Sequence, residues 1–216
     1  MYETAISILK RFHHFGFEAY IVGGYVRNLL LNLPTMDIDI CTNATPDDTK
    51  KLFHVIKDHS KFGSVVIQKD DFRFEITTFR RDEYYQNRYP NITYVKTLKE
   101  DLQRRDFTIN CLCLDQNENI IDLLNGKYDL NRKMIVTVKD PNQSFQEDPI
   151  RMLRALRFSL ELNFSLDKNL ILAIKDHRNL LKNLSENLRS REIQKIINKP
   201  NGVALLKKFG WDEYIL

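Results

Sequence analysis

The sequence predicts an α/β (α+β) head followed by an all-α segment. Two observations carry this. Through roughly the first 139 residues, short apolar runs at 20–22, 37–40, 63–67 and 72–79 alternate with stretches of helical apolar spacing. Beyond Ser144 only the helical spacing persists, in Leu153, Leu156 and Leu160 and then in Leu170, Ile171, Ile174, Ile193, Ile196 and Ile197. The chain has 216 residues, 43% hydrophobic and 29% charged, which suits one large or two modest globular domains. We place the boundary near Lys139, with domains at 1–139 and 140–216.

In chain order, Ile6, Leu9 and Phe12 predict an amphipathic helix over residues 2–15, ended by Gly16. A strand at 20–22 runs into Gly23-Gly24, and Val26, Leu29, Leu30 and Leu33 predict a short helix. Thr45-Pro46-Asp47-Asp48 opens another helix, expected to carry Leu52, Val55 and Ile56. Two strands follow, at 63–67 and 72–79, joined by Lys69-Asp70-Asp71. Residues 80–93 lose periodicity and read as a mobile loop. Its Arg80, Arg81, Arg88, Tyr84, Tyr85 and Tyr89 suit charge and stacking contacts with a nucleic-acid strand, or simply an ordinary surface loop. Short strands at 120–124 and 134–138 around Asn125-Gly126 are expected to finish the sheet at its edge. Ser144 to Pro149 then opens a long helical stretch, broken near the end by 198–202.

Chemistry concentrates in residues 20–40. On a strand Asp37 and Asp39 share one face while Ile38 and Ile40 take the other, which suits a pair of hard divalent cations at a phosphoryl-transfer site. Gly23 and Gly24 let the backbone approach a phosphate at a helix N-terminus, and Arg27 one turn on can clamp the same anion. Singly, Gly-Gly is a plain turn and Asp-x-Asp a solvated face; in sequence within about twenty residues they point to a triphosphate and metals. Glu75 supplies a third carboxylate if its strand neighbours the aspartate strand, and otherwise sits on a solvated face. Arg104 and Arg105 suit triphosphate oxygens, unless adjacent Asp106 neutralises them. Asp148, Arg151 and Arg154 fall along one helix side with Arg157 at its border. They suit phosphate binding or, for Asp148 with Arg151, the reading of a base edge; salt bridging along a solvated face is the competing account.

Composition narrows the setting. The net charge of +4 is compatible with a polyanionic partner. Cys41, Cys111 and Cys113 have no zinc-ligand spacing and read as reduced, buried fillers. No apolar run approaches the roughly 18 residues of a membrane span, and no signal peptide is evident, so a cytoplasmic protein with no membrane partner is expected.

The segments GGYVRN, DIDI, FRFEITTFR, EDLQRRDFTIN and EDPIRMLRALRF resemble, in order and spacing, the class II (bacterial-type) tRNA nucleotidyltransferases and poly(A) polymerases of the polymerase-beta-like nucleotidyltransferase superfamily. The resemblance implies a catalytic head with a mixed sheet and helices at 1–139 and a helical, nucleobase-recognising neck at 140–216. It implies Asp37 and Asp39 as ligands of two Mg²⁺ ions and Glu75 as the third catalytic carboxylate. Gly24, Arg27 and Arg105 would hold the triphosphate. Asp148 and Arg151 would select CTP and then ATP, with Arg154 and Arg157 orienting them or contacting phosphate. The reaction implied is CCA addition to a tRNA 3′ end, with CC-adding, A-adding and poly(A)-adding relatives, or a non-catalytic RNA- or nucleotide-binding module, as alternatives. Two departures stand out. Asn28 occupies a position where Asp is usual, so charge pairing to Arg27 should give way to hydrogen bonding. Family members also continue into body and tail domains that grip the tRNA, so the sequence is either a piece of a longer enzyme or a short one that forms a homodimer or uses another RNA-binding surface.

Overall fold

The structure is a computed structural model, and it describes residues 1–35, 37–84 and 90–215. Two compact units emerge. One comprises Met1–Arg105 with Ile109–Lys127, the other Asp106–Thr108 with Tyr128–Leu216.

The first unit opens with α1 (Tyr2–His14), whose Ala5, Ile6, Ile8, Leu9 and Phe12 are buried along one stripe. Gly16, at φ +82°, takes the left-handed backbone that turns the chain toward the sheet. There follow β1 (Ala19–Val22), α2 (Gly24–Leu30), β2 (Asp39–Thr42) and α3 (Pro46–Leu52). A reciprocal capping box between Thr45 and Asp48 starts α3 with Pro46 in its first turn. Then come β3 (Val55–His59), β4 (Ser64–Lys69), β5 (Phe72–Thr78), β6 (Arg80–Glu83), β7 (Asn91–Tyr94), α4 (Leu98–Leu102), β8 (Cys113–Leu114) and β9 (Ile120–Ile121). The described residues form a seven-stranded sheet in the order β3-β4-β5-β2-β1-β8-β9. Its β2–β5 pair is parallel and the other pairs are antiparallel, so the sheet is mixed, as expected. Phe12, Phe74 and Phe79 are fully buried in this unit, each contributing about 2–3 kcal/mol by removal from water.

After α5 (Gly126–Asn131), the second unit holds β10 (Met134–Ile135), α6 (Pro141–Glu147), α7 (Ile150–Leu162), β11 (Ser165–Leu166), α8 (Lys168–His177), α9 (Glu186–Ile197) and α10 (Gly202–Lys208). Helix α7 packs on α9 and α6 on α8, around buried Phe107, Phe145, Leu153, Leu156, Ile196 and Trp211. A β10–β11 parallel pair joins the chain before α6 to the chain after α7.

Four expectations are corrected. Helix α3 stops at Leu52 because Phe53 is extended (φ −137°, ψ 154°), and Val55 and Ile56 open β3 instead, where β-branched side chains pack well. Residues 120–124 and 134–138 are not one hairpin. Ile120–Ile121 does edge the large sheet, but the Asp122 carboxylate accepts from the Gly126 and Lys127 amides and starts α5, and Met134–Ile135 pairs with β11. The 80–93 segment is a loop only in part: β6 and β7 pair as an antiparallel ribbon, Arg80 opposite Tyr94. Its Tyr85, Arg88 and Tyr89 lie outside the described residues. Finally, the long helical stretch begins earlier, at Pro141 behind an Asp140 cap, and Asp148 is the extended residue between α6 and α7. The cysteines are free thiols and buried, as expected. Among the described residues, no helix is long and apolar enough to cross a membrane.

Candidate active site

The carboxylates come together through strand register. Asp39 is the first residue of β2 and lies directly opposite Glu75 in the parallel β5. Side chains of register partners project from the same face, on strands roughly 4.8 Å apart. Burial alternates through the segment: Asp37 and Asp39 are exposed while Ile38 and Ile40 are in the core. Asp37 precedes the strand but keeps its phase. Glu75 is exposed between buried Phe74 and Ile76, so all three acids share one sheet face. Surrounding protein pushes the Asp39 carboxyl above its ordinary range, and the charges of Glu75 and Asp37 push it further, against the pull of Arg105. Among the described residues none of the three acids has an ion-pair partner, and no group of three or more His, Cys, Asp or Glu side chains, these included, is gathered closely enough to hold a metal ion. Their all-oxygen donor set and mutual repulsion fit a hard divalent cation.

Beside this face lies the glycine turn. Gly23 has φ +84°, a conformation that favours glycine, and a Cβ there would lie 3.8 Å from Arg105 Nη1. At Gly24 a Cβ would lie 3.5 Å from Arg27 Nη2, an ordinary contact. Helix α2 has only 7 residues, so anion binding rests on the two arginines more than on its dipole. Arg27 is buried; Asn28 Oδ1 accepts from its Nε at 3.0 Å and its Nη2 at 2.8 Å, while Asn110 Oδ1 accepts from Nη1 at 2.6 Å. Hydrogen bonding to Asn28 thus takes the place that charge pairing to an aspartate would have at residue 28.

Arg105 is held differently. Its Nη2 donates to Asp101 Oδ2 at 3.1 Å, while its buried Nε finds no acceptor among the described residues. A buried donor left unmatched costs about 1–3 kcal/mol. Asp101, fully buried, also accepts from Arg104 Nε at 2.9 Å. Burial alone would raise the Asp101 carboxyl, but the Arg105 and Arg104 guanidiniums outweigh it and hold it below the ordinary range. The carboxylate that neutralises this arginine pair is therefore Asp101, and not Asp106 as adjacency suggests. The i,i+3 and i,i+4 spacings from Asp101 were the available signal. Asn110 as a partner of Arg27 had none.

In the second unit, the Asp148 carboxylate accepts from the Ile150 amide at 3.3 Å. Arg151 is buried, donating to Ser144 Oγ at 3.0 Å and pairing with Glu147 at 3.3 Å. Arg154 grips Asp106 through Nε at 2.8 Å and Nη2 at 2.6 Å, and that carboxylate sets the Arg154 guanidinium above its ordinary range against the opposing effect of burial. Arg157 bonds Glu192 at 2.8 Å and Glu161 at 2.9 Å, tying α7 to α9. The four residues thus occupy one helix region with different partners: Asp148 at the entrance to α7, Arg151 next to it, and Arg154 and Arg157 in ion pairs.

Residues 19–136 match the family described as the poly A polymerase head domain. With its acidic sheet face and arginine-flanked glycine turn, the chain belongs to this family of nucleotidyltransferases. Within the family the similarity runs to the CCA-adding enzymes. It is 43% identical over 199 residues to that of Bacillus pumilus, and 39% identical over 203 residues to that of Streptococcus uberis, covering 91% and 93% of this chain. The chain spans about half, 50%, of the length of each of these relatives. The Bacillus stearothermophilus CCA-adding enzyme in complex with CTP superposes with a TM-score of 0.91 at 36% identity, over 99% of this chain and 53% of that one.

Proposed function

We propose that this chain is the head (1–139) and neck (140–216) of a CCA-adding tRNA nucleotidyltransferase, which lengthens a tRNA 3′ end from CTP and ATP and releases pyrophosphate. The observation that carries the reading is the Asp39–Glu75 register on an exposed face, beside a glycine turn flanked by Arg27 and by an Arg105 with an unmatched buried donor. The likeness to a CCA-adding enzyme in complex with CTP supports the choice of substrate.

Asp37, Asp39 and Glu75 would hold Mg²⁺, which when bound activates a 3′-hydroxyl and neutralises charge at the triphosphate. The chain's own groups do the rest. Arg105 and Arg27 bind the triphosphate oxygens, and Gly23 and Gly24 let it approach the backbone. Two fixed guanidiniums hold the α-phosphorus for in-line attack and meet the charge that develops on the leaving pyrophosphate. Asp148 and Arg151 read the base, a carboxylate accepting from an exocyclic amine and a guanidinium donating to ring acceptors. Arg154 and Arg157, through Asp106 and Glu192, set the geometry of α7 beneath that pair.

The test incubates the purified chain with tRNA lacking its 3′ end, Mg²⁺ and each nucleotide singly and together, then sequences the products. CCA ends are expected. CC, a single A or a poly(A) tail would move the assignment to the corresponding relative. Asp37→Ala should abolish incorporation with the fold retained; unchanged turnover removes the metal-binding assignment. Asp148→Ala should lose discrimination against UTP and GTP, and retained discrimination removes the base-reading role.

A further inference from the structure

Asp101 is not one of the acids of the exposed face, yet it links parts of the first unit that the nucleotide site needs. Its carboxylate is fully buried. One oxygen, Oδ2, accepts from Arg105 Nη2 at 3.1 Å. The other, Oδ1, accepts from Arg104 Nε at 2.9 Å and from the backbone amide of Arg80 at 3.2 Å. Arg80 is the first residue of β6, and its own side chain is fixed by Asp82 at 2.9 Å and by the Phe62 carbonyl. A single buried carboxylate therefore bonds both the arginine beside Gly23 and the origin of the β6–β7 ribbon. Arg105 has one donor spent on Asp101, and its Nε stays unmatched. What places Arg105 at the nucleotide site is its Nη1, 3.8 Å from where a Cβ on Gly23 would lie, and its positive charge, which acts on Asp39 across the acidic face.

We propose that Asp101 is a positioning residue that aims Arg105 at the triphosphate and joins that aim to the seating of the β6–β7 ribbon. The inference rests on the nucleotidyltransferase reading above. Its physical content is linkage: a carboxylate shared between two elements makes anion binding at Arg105 and pairing at the Arg80 amide parts of one equilibrium, so each affects the other by the same factor. Arg105 is the group that touches nucleotide, and Asp101 acts only through it.

The test titrates CTP with Mg²⁺ into the parent chain, Asp101→Asn, Arg105→Ala and the double variant. Asparagine keeps the shape and one acceptor oxygen but removes the charge that orients the guanidinium. Asp101→Asn should weaken CTP binding about tenfold to hundredfold, the range of a charge-assisted hydrogen bond. In the Arg105→Ala background the same change should have almost no effect, a non-additivity that general loosening of the fold does not produce. In turnover, kcat/KM for CTP should fall by at least the same factor and kcat should fall with it, because the arginine that Asp101 aims also meets the charge developing on the leaving pyrophosphate; in the Arg105→Ala background neither should change further. Additive losses in the two backgrounds overturn the inference, as does weakening by Arg105→Ala without weakening by Asp101→Asn. Both leave the nucleotidyltransferase reading standing, whereas a parent chain that binds no CTP overturns both. Should Asp101→Asn fail to fold, amide exchange decides. Saturating CTP should slow exchange at Arg80 to Glu83 in the parent but not in Arg105→Ala, and equal slowing in both defeats the linkage.

Discussion

Replacing Asp39 by asparagine should stabilise the protein in the absence of divalent cations, the reverse of what removal of an acidic active-site residue usually suggests. Asp39 and Glu75 are register partners on parallel strands, which lie about 4.8 Å apart. Two unit charges about 5 Å apart repel by about 3 kcal/mol at an effective dielectric constant near 20 and about 1 kcal/mol in bulk water. Glu75 is exposed, and Asp39 is open to solvent although the protein around it is the first cause of its raised carboxyl, so the figure nearer that of water applies. Asp39→Asn should therefore gain about 1 kcal/mol, raising Tm by about 2–4 °C for a chain of this size. The pH dependence follows from the raised Asp39 carboxyl. Because the folded state binds this proton more tightly than the unfolded state, the parent's stability falls as pH climbs from the ordinary aspartate value through the raised one, and is flat above it. Asp39→Asn should lack that fall. Magnesium should reverse the comparison above pH 7, since a cation that binds only the folded parent raises its Tm with concentration. Calorimetry of both proteins, between pH 3 and 8 with and without Mg²⁺, gives the answer. A variant that melts lower than the parent without Mg²⁺, or that keeps the full Mg²⁺ response, refutes the idea of charge crowding relieved by metal.

Arg157→Met should destabilise the second unit by about 2 kcal/mol, because Glu192 loses its α7 partner and keeps only Lys195; urea unfolding of the variant measures it. Burial raises the Glu192 carboxyl, but Lys195 and Arg157 outweigh it and set it below the ordinary range, so its contribution is present above the unfolded glutamate value and lost as pH falls through the folded one. Arg157→Met should blunt that acid loss, and an undiminished loss measured by melting between pH 3 and 6 counts against the pair. Asn28→Asp should strengthen the two bonds from Arg27 while cancelling its charge. A higher Tm with CTP affinity reduced about threefold to tenfold is expected by calorimetry and titration, and unchanged affinity would remove Arg27 from the anion site.

The order of elements was legible wherever periodicity was strong. Residues 2–14 and 150–162 keep a buried stripe over several turns, and each is a helix. The burial alternation of β5 is the one its residues display, Phe74 and Ile76 in, Arg73 and Glu75 out. What failed was junctions. Val55 and Ile56 continue a helical spacing that began in α3, and only Phe53, which is extended, and His54 separate the two elements. Asn125-Gly126 carries a hairpin signature, yet Asp122, four residues before the glycine, captures the free amides of a helix start. Local grammar offered both outcomes there, and tertiary pairing of Met134–Ile135 with β11 decided between them.

Within the site, sequence identified residue types better than partners, and the arginines show why. Arg105, Arg151, Arg154 and Arg157 all carry the same guanidinium, and helical phase alone gives the last three a common side or its border. The structure separates them by the carboxylate each one meets: Glu147 at four residues' distance for Arg151, Asp106 and Glu192 across the fold for Arg154 and Arg157. Long-range partners leave no trace in spacing. Arg157 joins α7 to α9 through Glu192 and is a strut, whereas Arg105 borders Gly23 and acts on Asp39 across the acidic face; the difference lies in which elements each guanidinium meets, a quantity that sequence does not encode locally.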